Sequence, residues 1–141
     1  MQSLIPLLGT ILQRHKEWFE SQGRAGVFAD LSEENLEGAG FEGAALAEAN
    51  FQGARLHKAN FQRADLRGAN LHDADLTRAQ FQDCNLEDTD LMWADLRGSR
   101  LDGASLAGAY LQGADLRDTH VTREQIASAY TNEDTLLPEP F

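Results

Sequence analysis

The sequence has 141 residues, which is enough for one compact domain and too few for two ordinary ones. Its hydrophobic content of 42% includes no uninterrupted apolar run near the roughly 18 residues of a membrane span, so we expect no integral membrane protein. The net charge of −11, from 23 acidic and 12 basic residues, argues against direct nucleic-acid binding through phosphate contacts.

The beginning of the chain and its cysteine content bear on the cellular compartment. Residues 1–16 lack the basic region and the small-residue cleavage site of a secretory signal. The single cysteine, Cys84, cannot form an intrachain disulfide. Both features favour a cytoplasmic protein.

The N-terminal segment, residues 1–26, is predicted to be an amphipathic cap helix followed by a linker. Pro6 is acceptable in a first helical turn, and Gly23 is a plausible stop. The alternative is attachment to a membrane surface, which the few flanking bases, Arg14 and Lys16, do not favour. The apolar stripe on which the helix prediction depends consists of Leu4, Leu7, Leu8, Ile11, Leu12, His15, Trp18 and Phe19.

Residues 27–121 carry a five-residue repeat. From Leu36 to Leu116 every fifth residue is Leu or Phe, and Val121 closes the series. From Phe41 onward, a small residue stands two places before each large one. On an α-helix, a step of five would spread the large residues over every face. On a continuous strand, five is odd, and half of the large residues would point to solvent. The pattern therefore predicts short extended pieces separated by corners.

Glycine supports this interpretation, because eight glycines follow a large residue by two places, where a turn with positive φ favours glycine. The segments Ala64-Asp65-Leu66-Arg67-Gly68, Ala69-Asn70-Leu71 and Ala114-Asp115-Leu116 resemble the repeat of the pentapeptide repeat proteins. The resemblance implies an all-β solenoid, a right-handed quadrilateral β-helix of four to five coils. Each coil would contain four pentads, so that residues 20 apart stack.

This stacking makes specific predictions about the interior. Phe41, Phe61 and Phe81 would form one aromatic ladder, and Phe51 would stand alone in another. Cys84 replaces alanine in an inward ladder, and we interpret it as a buried packing residue rather than a reactive or ligating one. The first coil departs from the pattern at Glu34, where a small residue is expected.

Residues 122–141 are predicted to form a short helix and a tail. Thr122 and Gln125 have the spacing of a capping box, and the helix is expected to run through Tyr130. A simple end cap is favoured over the alternative, a dimer contact, which the resemblance to dimeric family members suggests. The candidate cap or dimer residues are Ile126, Tyr130, Leu136, Leu137 and Phe141.

No motif for catalysis or cofactor binding is present, so we predict a protein that is not an enzyme, with no cofactor and no metal. The four histidines do not cluster on the stacked faces. Asp75, Asp95 and Asp115 would stack, but Asp and Asn at corners ordinarily accept hydrogen bonds from nearby backbone. Arg97 and Arg117 can offset their repulsion, and a bound cation is the weaker alternative.

The strongest candidate for a functional surface lies between residues 73 and 95, where seven acids face one base. Exposed apolar residues within an acidic surface mark contact sites, which predicts a rigid, non-enzymatic scaffold that binds a protein partner. The alternative, implied by the resemblance, is a DNA-mimicking binder of DNA gyrase or topoisomerase that inhibits or protects it. The candidate contact residues are Met92, Trp93, Tyr110, Asp73, Asp75, Asp90 and Asp95.

Overall fold

The structure, a computed structural model, describes residues 3–141; residues 1 and 2 of the predicted N-terminal segment lie outside the described residues. A 3-10 turn at Ile5–Leu7 leads into helix α1, Leu8–Glu20. A second helix, α2, covers Arg123–Ser128. Across residues 3–141, neither helix is long and apolar enough to cross a membrane.

Between the helices, parallel β-bridges join residues that are 20 apart, so four pentads make one turn of a solenoid. The bridges fall into four ladders, and each ladder defines one side of the coil. We number these sides in chain order. The ladders run through Asp30, Asn50, Asn70, Asp90, Tyr110 and Tyr130 on side 1; Asn35, Arg55, Asp75, Asp95, Asp115 and Leu136 on side 2; Gly40, Asn60, Gln80 and Arg100 on side 3; and Ala45, Asp65, Asn85 and Ser105 on side 4.

The interior contains the stacks that the repeat predicts. The ring of Phe61 is parallel to those of Phe41 and Phe81, at centroid distances of 4.8 and 5.3 Å. Phe51 meets Phe41 and Phe61 edge to face. All four rings are buried. The predicted aromatic ladder is confirmed, and the large residue of each pentad fills the core.

The corners all use the left-handed backbone region. The residue two places after each large one has positive φ from Glu33 to Asp118, whether or not it is glycine. Because this conformation disfavours residues with a Cβ, it explains why glycine recurs at the corners. Lys58, Arg78 and Trp93 adopt it as well, with φ of 61°, 57° and 61°.

Helix α1 packs one face on the first coil. Leu8 and His15 are buried, and Leu4, Ile11 and Leu12 lie partly buried against the core. Two residues of the predicted apolar stripe, Leu7 and Phe19, are instead exposed. Leu7 precedes α1, in the 3-10 turn, where the spacing of an α-helix does not apply.

Backbone pairing extends past residue 121, where the pentads end. Tyr130 pairs with Tyr110, and Leu136 pairs with Asp115. Helix α2 begins with the predicted capping box, since Thr122 Oγ1 accepts the N–H of Gln125 at 3.0 Å and Gln125 Oε1 accepts that of Thr122 at 2.9 Å. The helix ends at Ser128 rather than running through Tyr130, because the chain returns to the ladder there.

Candidate protein-interaction surface

Three large aromatic side chains are exposed at the C-terminal end of side 1. Trp93, Tyr110 and Tyr130 have exposed fractions of 52%, 42% and 56%. The rings of Tyr110 and Tyr130, on successive coils, stack at a centroid distance of 5.2 Å and an interplanar angle of 22°. Met92 is half-buried beside Trp93. We call Met92, Trp93, Tyr110 and Tyr130 the aromatic surface.

The ring of Trp93 lies against the backbone of the next coil, because Gly113 has no side chain to displace it. Gly113 stands 20 residues after Trp93, and the six-membered ring occupies the space that a Cβ at residue 113 would need. One side of the ring therefore covers backbone, while half of its area stays open to solvent. The tryptophan is fixed in place and still available for contact.

Two acids and a histidine border the aromatic surface. His72 lies between Asp73 and Asp90, with a nitrogen 3.5 Å from a carboxylate oxygen of each. Asp90 Oδ1 also accepts the N–H of Met92 at 3.0 Å. Asp90 and Tyr110 thus lie in the ladder of side 1, and Asp73, Met92 and Trp93 lie next to it at the corner with side 2.

The other two candidates, Asp75 and Asp95, lie in the bridge ladder of side 2. Asp95 accepts two hydrogen bonds from the Arg97 guanidinium, at 2.9 and 2.7 Å. This pairing lowers the pKa of Asp95 below its usual range. Asp75 accepts the Thr77 hydroxyl at 2.6 Å and the Thr77 N–H at 3.0 Å. Both carboxylates are occupied within the coil, so they contribute less to a free acidic surface.

Side-chain to backbone bonds of this kind recur along the solenoid, as the interpretation of the Asp and Asn residues predicts. The side-chain Oδ1 accepts the N–H two residues later, at 3.0 Å for Asn50 and at 3.1 Å for Asp65 and Asp115. Arg117 pairs with Asp115 at 2.6 Å, and Arg97 also reaches Asp115 at 3.7 Å. Asp95 and Asp115 of side 2 are therefore balanced by guanidinium groups.

The five C-terminal candidates are divided between core and surface. Ile126 and Leu137 lie partly buried against the core, whereas Tyr130, Leu136 and Phe141 are exposed. The Arg123 guanidinium donates a hydrogen bond to the Phe141 carbonyl at 3.1 Å and lies 5.9 Å from the centre of the Phe141 ring. The tail thus folds back on α2.

Cys84 is buried, as the prediction of a packing residue requires. Burial raises the pKa of its thiol to about 12, which keeps the thiolate scarce at neutral pH. Within residues 3–141, no group of three or more His, Cys, Asp or Glu side chains is arranged to hold a metal ion.

The surface also carries a cluster of basic residues, of which the 20-residue register places Arg55, Lys58 and Arg78 on one face. Lys58 and Arg78 follow each other at the corner between sides 2 and 3, and Arg97 and Arg100 flank the same corner on the next coil. We call these four residues the basic corner. The 20-residue register alone relates Lys58 to Arg78. Arg97 and Arg100 join them because they stand on either side of Gly98, which occupies the same corner on the next coil.

Comparison with known proteins agrees with this geometry. The family model described as a pentapeptide repeat region matches residues 34–111. The chain is a pentapeptide repeat protein. No curated protein matches its sequence.

Several solved pentapeptide repeat proteins are similar to this one. HetL, involved in heterocyst differentiation regulation in the cyanobacterium Nostoc, is 38% identical with a TM-score of 0.62, over 63% of this chain and 38% of HetL. A protein from the Arabidopsis thaliana thylakoid lumen is 36% identical with a TM-score of 0.68, over 70% of this chain and 69% of its own. A second Nostoc protein is 26% identical with a TM-score of 0.64, over 93% and 87% of the two chains.

The likenesses show the family and the β-solenoid, and they limit what else can be transferred. This pentapeptide repeat protein spans little more than a third of HetL. Because one similar protein belongs to the thylakoid lumen, family membership does not set the compartment. Pentapeptide repeat proteins are generally structural or interaction modules rather than enzymes.

Proposed function

We propose that this pentapeptide repeat protein is a non-enzymatic, rigid scaffold that binds a protein partner through the aromatic surface and its neighbours Asp73 and Asp90. The observation that carries the proposal is the position of Trp93. A bulky residue in the left-handed region is unusual, and this one keeps 52% of its area in solvent. Among the corner residues of positive φ within residues 3–141, Trp93 is the only one with a large apolar side chain, and the next coil has Gly113 at this place.

The chemistry of the surface fits a protein partner. Tryptophan and tyrosine are enriched among residues that dominate binding energy at interfaces. Their fixed rings lose little conformational entropy on binding, because the ring of Trp93 already lies on Gly113 and Tyr110 already stacks on Tyr130. Asp73 and Asp90 at the border favour a partner whose surface carries bases around an apolar centre.

The two helices support a further proposal, that they cap the ends of a right-handed coil of four to five turns. An open coil end leaves backbone groups without partners. At the C-terminal end the Gln125 amide donates to the carbonyls of Leu101 and Ala104 at 2.8 and 3.0 Å. The Thr135 hydroxyl donates to the Leu111 carbonyl at 2.8 Å.

Because the C-terminal segment already covers its own coil, we propose an end cap there rather than a dimer contact. Light scattering coupled to size exclusion tests this. A monomer agrees with the cap. A dimer that becomes monomeric in Leu136→Ser and Phe141→Ser would instead assign these exposed residues to a dimer interface. We propose the cytoplasm as the compartment, since the one thiol is unpaired and buried.

The binding proposal is tested with the double variant Met92→Ser and Trp93→Gln. Affinity purification from the native cell, with quantitative comparison of the captured proteins, should lose a specific partner with this variant. The matched control is Val27→Ser, which also removes an exposed apolar side chain, 55% exposed, but far from side 1 of the later coils. Equal capture by wild type and the double variant contradicts the proposal.

A DNA-mimicking binder of gyrase or topoisomerase is the less favoured function. Such a surface should present long faces without positive charge. The basic corner interrupts the acidic surface with four cations over neighbouring coils. A supercoiling assay with excess protein checks this directly, and inhibition or protection of gyrase would restore the DNA-mimic function.

A further inference from the structure

The basic corner lines a shallow groove on a chain of net charge −11. The groove has a volume of about 670 Å³, and its lining includes all four cations of the corner together with Thr77, Gln80 and Asp118. All four cationic side chains are exposed. One third of the 12 basic residues of the chain therefore lie around a single groove.

Gly98 leaves the middle of the groove open. The register places Lys58, Arg78, Gly98 and Asp118 at one corner of four successive coils. The aliphatic part of the Arg78 side chain lies next to Gly98. A Cβ at residue 98 would lie 3.3 Å from the Arg78 Cγ, so glycine leaves the base of the Arg78 side chain uncrowded.

Arg97 already pairs with Asp95 at 2.7 Å and Arg100 with Asp102 at 3.4 Å, whereas, in the part of the chain that the structure describes, Lys58 and Arg78 have no internal partner. Three arginines elsewhere on the coil are paired, Arg63 with Glu42 at 3.5 Å, Arg67 with Asp65 at 2.7 Å and Arg117 with Asp115 at 2.6 Å. Among residues 3–141, no carboxylate lies within the 4.0 Å ion-pair distance of Lys58 or Arg78. Stacked coils are about 4.8 Å apart, so two like charges are held close together without compensation.

We infer that the basic corner binds an acidic peptide segment of a partner protein. Guanidinium groups pair well with carboxylates, and Arg100 still faces outward although Asp102 lies 3.4 Å away. Thr77 and Gln80 offer polar groups for the peptide backbone. The four cations lie on three successive coils, which span about 10 Å, and an extended peptide covers that length with about three residues.

The charge of the rest of the chain selects a short acidic segment over a nucleic acid. At physiological salt the Debye length is about 8 Å, so a ligand confined to the groove interacts mainly with the unpaired Lys58 and Arg78 and with Asp118, the one acid of the lining. A longer polyanion would extend over the acidic sides of the coil and be repelled. The groove is separate from the aromatic surface, because side 2 lies between the two corners. The scaffold would then carry two binding sites of opposite charge.

The test uses the full chain and a fluorescein-labelled peptide of about six Asp and Glu residues, followed by fluorescence anisotropy. The variant is Lys58→Asp with Arg78→Asp. Aspartate is compatible with these corners, since Asp73, Asp83 and Asp88 have the same positive φ. The matched control, Arg24→Asp with Arg63→Asp, changes the net charge equally away from the groove. Thermal unfolding confirms that both variants fold.

Saturable binding by the native chain is expected, weakening as salt rises from about 0.05 to about 0.3 M. The corner variant should bind at least about tenfold more weakly, and the control within about twofold of the native chain. No saturable binding, or equal loss in both variants, overturns the inference. Tighter binding of a single-stranded oligonucleotide, or of inorganic phosphate alone, overturns the assignment to a peptide. Met92→Ser with Trp93→Gln should keep full peptide binding, so this site and the proposed function can fail separately.

Discussion

The imidazole of His15 supplies the carbonyl of Ala47 with the hydrogen bond that a preceding coil would have given. Within the solenoid, the equivalent carbonyl of Arg67 accepts the N–H of Glu48 at 2.8 Å. At Ala47 the partner is His15 Nε2, at 2.7 Å. His15 Nδ1 accepts the N–H of Ala29 at 2.9 Å, which requires that the proton of the neutral ring be on Nε2. One buried side chain thus joins α1 to two coils.

Replacing His15 by Leu should lower the free energy of unfolding by about 2 to 4 kcal/mol, because it leaves a buried N–H and a buried carbonyl without partners. Urea unfolding followed by circular dichroism measures this. His15→Gln has both a donor and an acceptor and should lose less. Gln13→Leu, on the exposed side of α1, should be close to neutral. A urea midpoint of His15→Leu equal to that of the wild type would contradict the role of His15 in joining α1 to the coils.

Trp93→Gly should change the free energy of unfolding by less than about 1 kcal/mol, because relief of the left-handed backbone offsets the lost packing on Gly113. Gly113→Ala should destabilise by about 1 to 3 kcal/mol, through its own positive φ and the Trp93 ring. In the double variant the steric part of that loss should disappear. Chemical denaturation of the four proteins gives the coupling, and simple additivity would contradict contact between the two residues.

Cys84 should be unreactive in the folded chain. Its thiol pKa of about 12 leaves almost no thiolate near pH 8, and the side chain is closed to solvent. A thiol reagent that produces a coloured product should label native protein only at the rate of unfolding, and urea-unfolded protein at once. Rapid labelling without denaturant would contradict this. Cys84→Ala, which matches Ala64 in the coil below, should fold normally and abolish labelling in both states.

Acid should destabilise the solenoid through its Asp–Arg pairs. Side-chain hydrogen bonds from the arginine two residues later lower the pKa values of Asp65, Asp95 and Asp115 in the folded chain. Their contribution is therefore complete above the unfolded value of about 3.9 and is lost as pH falls through the folded values.

Thermal unfolding between pH 7 and pH 2 should show this decline, concentrated below the unfolded Asp value. Arg97→Met should make it shallower. The effect per pair is small because the arginines are exposed to solvent. A melting temperature of Arg97→Met that falls as steeply as that of the wild type would contradict the assignment.

The repeat made the interior and the corners predictable. Phe41, Phe61 and Phe81 stack because a period of five allows only a coil to bury them, and the recurrence of glycine indicated the positive φ of the corners. The arrangement beyond Val121 was not predictable in the same way, because the pentads end there. Tyr130 returns to the ladder after a helix, and Leu136 pairs with a residue 21 places earlier rather than 20.

The candidate surface was predictable only along the ladders. Residues that stack are 20 apart in sequence, so the repeat relates Asp90 to Tyr110. Neighbours across a corner belong to different ladders, and the repeat does not relate them in this way. Asp95 follows Trp93 closely in sequence, but it lies in the bridge ladder of side 2 and pairs with Arg97. The two bonds of His15 depend on how α1 lies on the first coil, and an apolar stripe gives only the buried face of a helix.

Because of the 20-residue register, the length of the coil and the direction in which its sides face can be changed independently. Removing a whole coil would shorten the rod by about 4.8 Å and leave every remaining side facing as before. Removing a single pentad would preserve the inward ladders equally well, yet it would rotate everything after the cut by a quarter turn about the axis. Trp93 would then point at right angles to its present direction relative to α1. The number of pentads therefore determines how the side chains at one end of the coil are oriented relative to those at the other end.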